Sequence, residues 1–376
     1  MKFSTNTLVD ADVHNVLSSN EELFDYLPDY WIHMIRDVGS FPAGGPDWRN
    51  PMGLFRCDAK PPGGGLPASD PNYLVTHHLD ANQIEYAILT GSCYGVGTAC
   101  DIDFANAVAS AYNRNLQRRW LDASDRFRGS ILVNHADPAA AAREINEMAA
   151  DRRFVQVLMG SGSSRGFGHR CYDPIYEAAV RHDLPVAFHP GDEGTGTAGT
   201  STPCGQPARY FDWHNTLPLN YMAHVNSLVC EGTFEKFPTL RVAALEGGIG
   251  WLPHLMWRMD KNFKALRATT PWLKRFPSEY IVDHIRLTTQ PVEEPAKPEH
   301  LLQIFEMVQA EKTVMFSSDY PHWDNDDPRF AFPRMPEAMQ QRIFSDNARE
   351  LYRLPPAWTE PAESIQPSQR ASTRIL

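Results

Sequence analysis

Short, continuous apolar runs alternate along this chain with stretches in which apolar residues recur every three or four positions. Unbroken apolar runs mark strands covered on both faces, as in a parallel sheet, and the slower period marks amphipathic helices. The runs fall at residues 8–14, 85–91, 128–134, 154–160, 184–190, 240–247, 284–290 and 313–319. Helical patterns cover 103–121, 138–150, 174–181, 217–236, 251–266 and 299–309, and a last one at 336–351 closes the series. Eight strands with helices between them predict an α/β fold of the (β/α)8 TIM-barrel type. A doubly wound open sheet is the rival. It would usually carry a glycine-rich phosphate turn after its first strand, and Asp12-Val13-His14-Asn15 is nothing of the kind.

The chain has 376 residues, 42% of them hydrophobic and 22% charged, enough for a large core and too apolar for wholesale disorder. Three loops exceed what a bare barrel needs: a Pro/Gly-rich insertion at 38–71, a Gly-rich one at 191–215, and 272–283 before the seventh strand. Loops of that length usually cover a site or meet a partner. The expected organisation is therefore one barrel over 1–354, with insertions at about 38–71 and 191–215 covering its mouth. A Pro/Ser/Gln-rich extended tail follows at 355–376. Lys+Arg 35 against Asp+Glu 46 gives a net charge of −11, which argues against nucleic acid or an anionic membrane as partner. Six scattered cysteines without a C-x-x-C pair suit a reducing compartment, and no run approaches ~18 apolar residues. These features predict a soluble, cytoplasmic protein acting on a small molecule.

The candidate chemistry sits at strand ends. Asp12 and His14 are two apart at the end of the first run, so a regular strand would aim both into the barrel mouth. His189 ends the fifth strand and Asp319 the eighth. Barrel enzymes place their sites on this rim, and two imidazoles with two carboxylates are what a divalent metal such as zinc requires. The candidate metal ligands are Asp12, His14, His189 and Asp319.

The order and spacing of several motifs resemble the amidohydrolase superfamily, in its branch related to aminocarboxymuconate semialdehyde decarboxylase. They are Asp12-Val-His14, Asp173-Pro-Ile-Tyr-Glu-Ala-Ala, Leu184-Pro-Val-Ala-Phe-His-Pro, Phe234-Glu-Lys-Phe-Pro, Ser318-Asp-Tyr-Pro-His and Ile343-Phe-Ser-Asp-Asn-Ala-Arg. The resemblance spans nearly the whole chain. It implies a barrel with one catalytic divalent ion, zinc foremost and manganese as the other choice, held by those same four residues. It also implies a homodimer or larger homo-oligomer. One ion rather than two fits the fourth strand, Phe-Val-Gln-Val-Leu-Met-Gly, because no lysine occurs between Lys60 and Lys236 to bridge a pair.

This chain departs from that branch at the end of the sixth strand, where Ala244-Leu245-Glu246-Gly247-Gly248 carries a glutamate in place of the usual acid/base histidine. Glu246 is thus a candidate for acid/base chemistry or the metal shell. His224, near the start of a helix, could present a substitute imidazole. Asp319 can serve as ligand and proton carrier together. Trp213 beside His214, Arg258 as a carboxylate clamp, and His322 are the candidate substrate contacts. His77 and His78 read as structural. The leading function is decarboxylation of a small aromatic or enol-like acid. The alternative is hydrolysis of an ester, lactone or amide by metal-activated water, and a non-catalytic binding barrel comes third.

Overall fold

The computed structural model describes residues 8–41 and 53–355, so 42–52 of the first insertion and the tail from 356 lie outside the described residues. Eight strands form: β1 (Leu8–Val13), β2 (Ile84–Leu89), β3 (Phe127–Leu132), β4 (Phe154–Gly160), β5 (Val186–His189), β6 (Val242–Ala244), β7 (Ile285–Thr288) and β8 (Val314–Met315). They pair in sequence order, and every pair is parallel. Backbone bonds bring β8 back to β1. Ala11 N–H donates to Phe316 O at 2.9 Å, His14 N–H to Tyr320 O at 2.7 Å, and Asp319 N–H to Asp12 O at 3.2 Å. The architecture is the predicted TIM barrel.

Its helices start where the sequence supplies a cap. Asp101 accepts a hydrogen bond from Phe104 N–H before Ile102–Asn115, and Asp137 from Ala140 N–H before Pro138–Met148. Each such cap stabilises its helix by ~1 kcal/mol. Two expectations need correcting. The helix predicted over 217–236 breaks in two, Pro218–Cys230 and Thr233–Lys236, because Gly232 turns left-handed with φ 74° between them. The loop at 272–283 gives way to the helix Pro277–His284. Two turns are too short to display a period, so only its start signals were legible: Pro277, and Glu279 accepting from Phe276 N–H at 2.8 Å.

Packing forms two shells. The larger joins the outer strand faces to the helices, with Trp120, Phe127, Tyr176 and Phe305 fully buried. A smaller cluster of Val9, Ala11, Ile88, Leu158, Ala187, Ala243 and Met315 fills the barrel, with Leu351 and Tyr352 of the last helix packed against it. No helix among the described residues is long and apolar enough to cross a membrane.

The β1–β8 seam is fastened by one buried carboxylate. Asp10 accepts from Ser318 N–H at 2.9 Å and Ser318 Oγ–H at 2.6 Å, and faces His78 Nε2 at 2.9 Å. The His78 ring stacks on Tyr320 at 4.2 Å, while His77 Nδ1 meets the Tyr320 hydroxyl at 2.9 Å, so both histidines serve the fold as expected. Removing Asp10 would strand three buried polar groups. Asp10→Ala should lower unfolding stability by about 3–5 kcal/mol in urea titrations, and Asp10→Asn by clearly less.

Candidate active site

Five buried side chains converge at the mouth: Asp12, His14, His189, Glu246 and Asp319 each present one oxygen or nitrogen, all within 4.8 Å of one another. Asp12 and His14 come from the end of β1, whose ladder to β2 slips between Asp10 and Val13. Irregularities of this kind re-aim side chains at barrel rims, so the pair does not rest on simple alternation. His189 is the last residue of β5. Glu246 follows β6 and Asp319 follows β8, each in left-handed backbone with φ 55° and 60°. For a side chain with a Cβ that conformation costs ~1 kcal/mol or more, and such strain concentrates at functional sites. Gly247 keeps the turn narrow, since a Cβ there would come within 2.6 Å of the Tyr221 ring.

The backbone decides which imidazole nitrogen faces inward. His14 Nδ1–H donates to Gly91 O at 2.5 Å and His189 Nδ1–H to Pro190 O at 2.8 Å, leaving both Nε2 lone pairs aimed at the cluster. Thr90 Oγ–H holds Asp12 Oδ1 at 2.6 Å. Nε2 of His189 lies 3.3 Å from Asp12 Oδ2 and 3.0 Å from Glu246 Oε2, and Nε2 of His14 lies 2.8 Å from Asp319 Oδ1. Yet Asp12 Oδ2, His14 Nε2 and His189 Nε2 are buried with no aligned hydrogen-bond partner. Buried lone pairs facing one point fit a divalent cation and fit little else.

The titration behaviour agrees. Burial alone would raise the Asp12 carboxyl, but His189 and His14 beside it bring it down to about 2. Burial disfavours charge on His189, and the Asp12 and Glu246 carboxylates override that and push it well above its usual range. Burial and then Glu246 push Asp319 well above the ordinary carboxylate range, against the pull of His14. A cation binding there would compete with protons for the same atoms.

A cavity of about 250 Å³ opens onto this cluster, with a size suited to a single ring. Leu54 and Phe55 come from the first insertion, and Gly191, Tyr210 and Trp213 from the loop after β5, so the two insertions share one pocket. Trp323 N–H donates to Leu54 O at 3.1 Å, tying the first insertion to the loop after β8. No lysine or arginine lines the cavity among the described residues. Tyr94 escaped the sequence reading. Its ring stacks on His189 at 4.4 Å and its hydroxyl donates to Gly91 O at 3.0 Å. The available signal was the small-residue turn Gly91-Ser-Cys directly after β2.

The remaining candidates divide. His322 lines the pocket, with Nδ1 at 2.7 and 2.8 Å from the two Asp319 oxygens and its ring parallel to Phe55 at 5.5 Å. Trp213 also faces the cavity. His224 does not. Its Nδ1 accepts from Phe167 N–H at 3.3 Å, its Nε2 donates to Ser161 O at 2.8 Å, and its ring stacks on Phe167 at 3.8 Å. Both nitrogens are occupied by backbone, so a catalytic His224 is withdrawn. Arg258 is withdrawn as well, because it lies exposed on the outer helix Leu252–Leu266, away from the cavity. At the end of β4, where a bridging lysine would have to start, a Cβ on Gly160 would come within 2.2 Å of Asp192 Oδ2. Asp192 fills that space, so no side chain fits at Gly160.

The amidohydrolase family profile matches residues 9–354, and the chain belongs to that family. A gamma-resorcylate decarboxylase from Polaromonas sp. (strain JS666 / ATCC BAA-500) is 27% identical over 293 residues, covering 73% of this chain and 85% of that protein. A solved 5-carboxyvanillate decarboxylase from Novosphingobium aromaticivorans, complexed with manganese and 4-hydroxy-3-methoxy-5-nitrobenzoic acid, superposes with a TM-score of 0.70. The match has 23% identity and covers 93% of this chain and 96% of that one. A dihydroxybenzoic acid decarboxylase from Polaromonas sp. JS666, with bound manganese and 2-nitroresorcinol, gives a TM-score of 0.65. Its identity is 22% and its coverage 93% and 97%. At these identities the solved structures establish the shared fold.

Two outcomes follow from the geometry. Metal analysis of reconstituted protein should give about one divalent ion per chain, and His189→Ala should lose it while keeping the native circular dichroism spectrum. Burial pushes the His224 and His135 imidazoles down to about 4, below the ~6.5 of an unfolded histidine. Both stay neutral in the fold, so their contribution is complete above pH ~6.5 and drains away as pH falls toward 4, by up to about 3 kcal/mol each. Urea midpoints across that window should drop, and His224→Gln should flatten the drop by about half.

Proposed function

We propose that this enzyme decarboxylates a small aromatic carboxylic acid, using one divalent cation held by Asp12, His14, His189 and Asp319 with Glu246 in the same shell. The observation that carries the reading is the cluster of converging lone pairs beside a ring-sized cavity that no lysine or arginine lines among the described residues. Three carboxylates would repel an acidic substrate. A bound divalent cation supplies the charge that draws in the substrate carboxylate and a neighbouring oxygen. Relatives named as gamma-resorcylate decarboxylases support the same chemistry over hydrolysis.

The protein's own groups do the rest. Tyr94, Phe55 and Trp213 form walls for the ring, and the two insertions exclude water. Asp319, with His322 Nδ1 against both of its oxygens, is placed to carry a proton from that imidazole to the ring carbon. The bond from that carbon to the carboxylate breaks, its electron pair remains on the ring carbon to take the proton, and CO₂ leaves. His322, against both Asp319 oxygens, is placed to restore the proton. For the ion itself, the two imidazoles suit zinc and the three carboxylates suit manganese. A homodimer or larger assembly is proposed alongside, to be read by light scattering.

Protein loaded with zinc or manganese should release CO₂ from one or more hydroxybenzoates. Asp319→Asn and Glu246→Gln should each reduce turnover by a factor on the order of 10²–10⁴, with metal content followed in parallel. Turnover of esters or lactones with no CO₂ from any aromatic acid would overturn the reading.

A further inference from the structure

The cation cluster accounts for part of the cavity wall, but another acidic side chain also lines it. Asp324 belongs to the loop after β8, is not among the five clustered ligands, and shares the cavity wall with Glu246, His322 and Tyr210. Its Oδ2 forms an ion-pair contact with His214 Nε2 at 3.2 Å without an aligned hydrogen bond, and the two side chains are 16% and 17% exposed. The pair is rigidly mounted. The His214 ring stacks on Tyr210 at 5.5 Å and 25°, and Trp323 Nε1–H donates to the Tyr210 hydroxyl at 3.2 Å. Gln290 Nε2–H donates to the Asp324 backbone carbonyl at 3.3 Å.

We propose that Asp324, oriented by His214, is a specificity-determining group that accepts a hydrogen bond from a hydroxyl or amino substituent on a part of the ring that the cation cluster does not hold. This rests on the substrate being a small aromatic acid. The argument is one of charge. Burial would raise the Asp324 carboxyl, and His214 reverses that, so the group stays ionised and presents acceptors only. With no lysine or arginine on the cavity wall among the described residues, a second carboxylate on the ring would meet this anion unpaired. A neutral substituent with an O–H or N–H satisfies it, and a methoxy group leaves it unsatisfied. Asp324 touches the substrate. His214 acts through Asp324 and is a positioning residue.

The test uses cation-loaded, full-length protein and 2-hydroxybenzoates bearing a distal hydroxyl, amino, methoxy or carboxylate group. Wild-type protein should favour the hydroxyl and amino compounds over methoxy by about 10- to 100-fold in kcat/KM, the value of one charge-assisted hydrogen bond. In the near-isosteric Asp324→Asn that ratio should fall toward one, mainly through KM, and the carboxylate-bearing compound should gain. His214→Gln, which can still donate to Asp324, should keep the preference that His214→Phe loses. Calorimetric binding of unreactive 2-nitrophenols with and without a distal hydroxyl gives the same ratio without turnover. An unchanged ratio in Asp324→Asn, in both turnover and binding, would overturn the assignment and leave Asp324 as a loop brace. A binding ratio that collapses in Asp324→Asn, in a protein that releases CO₂ from none of these acids, would uphold Asp324 and sink the decarboxylase reading instead.

Discussion

Three carboxylates gathered in a buried rim, with no lysine or arginine beside them among the described residues, are the constraint on which this structure turns. Asp12, Glu246 and Asp319 repel one another in a medium far less polarisable than water, and only protons or a cation can hold them at such spacing. The two imidazoles lend partial relief. Their Nδ1 hydrogens are committed to backbone carbonyls, so they meet the carboxylates with lone pairs unless protonated. The arrangement is costly as packing and well suited to coordination.

The scaffold makes that arrangement tolerable by over-determining it. The seam between β1 and β8 brings the Asp12 and Asp319 backbones into direct hydrogen bonding, and Asp10 and Ser318 lock the same join one step further down. Left-handed backbone at Glu246 and Asp319 is held by their surroundings, as when Thr288 Oγ accepts from Glu246 N–H at 2.9 Å. Strain of this order persists only where neighbouring structure fixes it. The energy spent on conformation goes to aiming two acids at one point.

Glu246 gives this member of the family its own electrostatics. A histidine at that position could carry a positive charge toward substrate, whereas a carboxylate deepens the negative field. It also bears on recognition. Asp324 adds a further acid to the cavity wall, and in the proposed role it would favour a substrate whose single carboxylate goes to the cation and whose other polar groups donate hydrogen bonds.

Much of this was legible from the chain alone. All eight strands, the parallel barrel and the rim positions of Asp12, His14, His189, Glu246 and Asp319 follow from continuous apolar runs ending in polar residues. Period and strand-end position are local properties that a sequence records directly. Tertiary structure decided the rest. His224 has the sequence context of a mouth histidine, yet the loop after β4 folds over it and takes both ring nitrogens. Arg258 lies on a helix whose outward face is set by packing rather than by residue type. Tyr94, Asp324 and the filling of the space beside Gly160 by Asp192 depend on contacts between distant segments. A strand's hydrophobic pattern fixes where its end will lie, but which loop side chain reaches across the mouth depends on closing the barrel first.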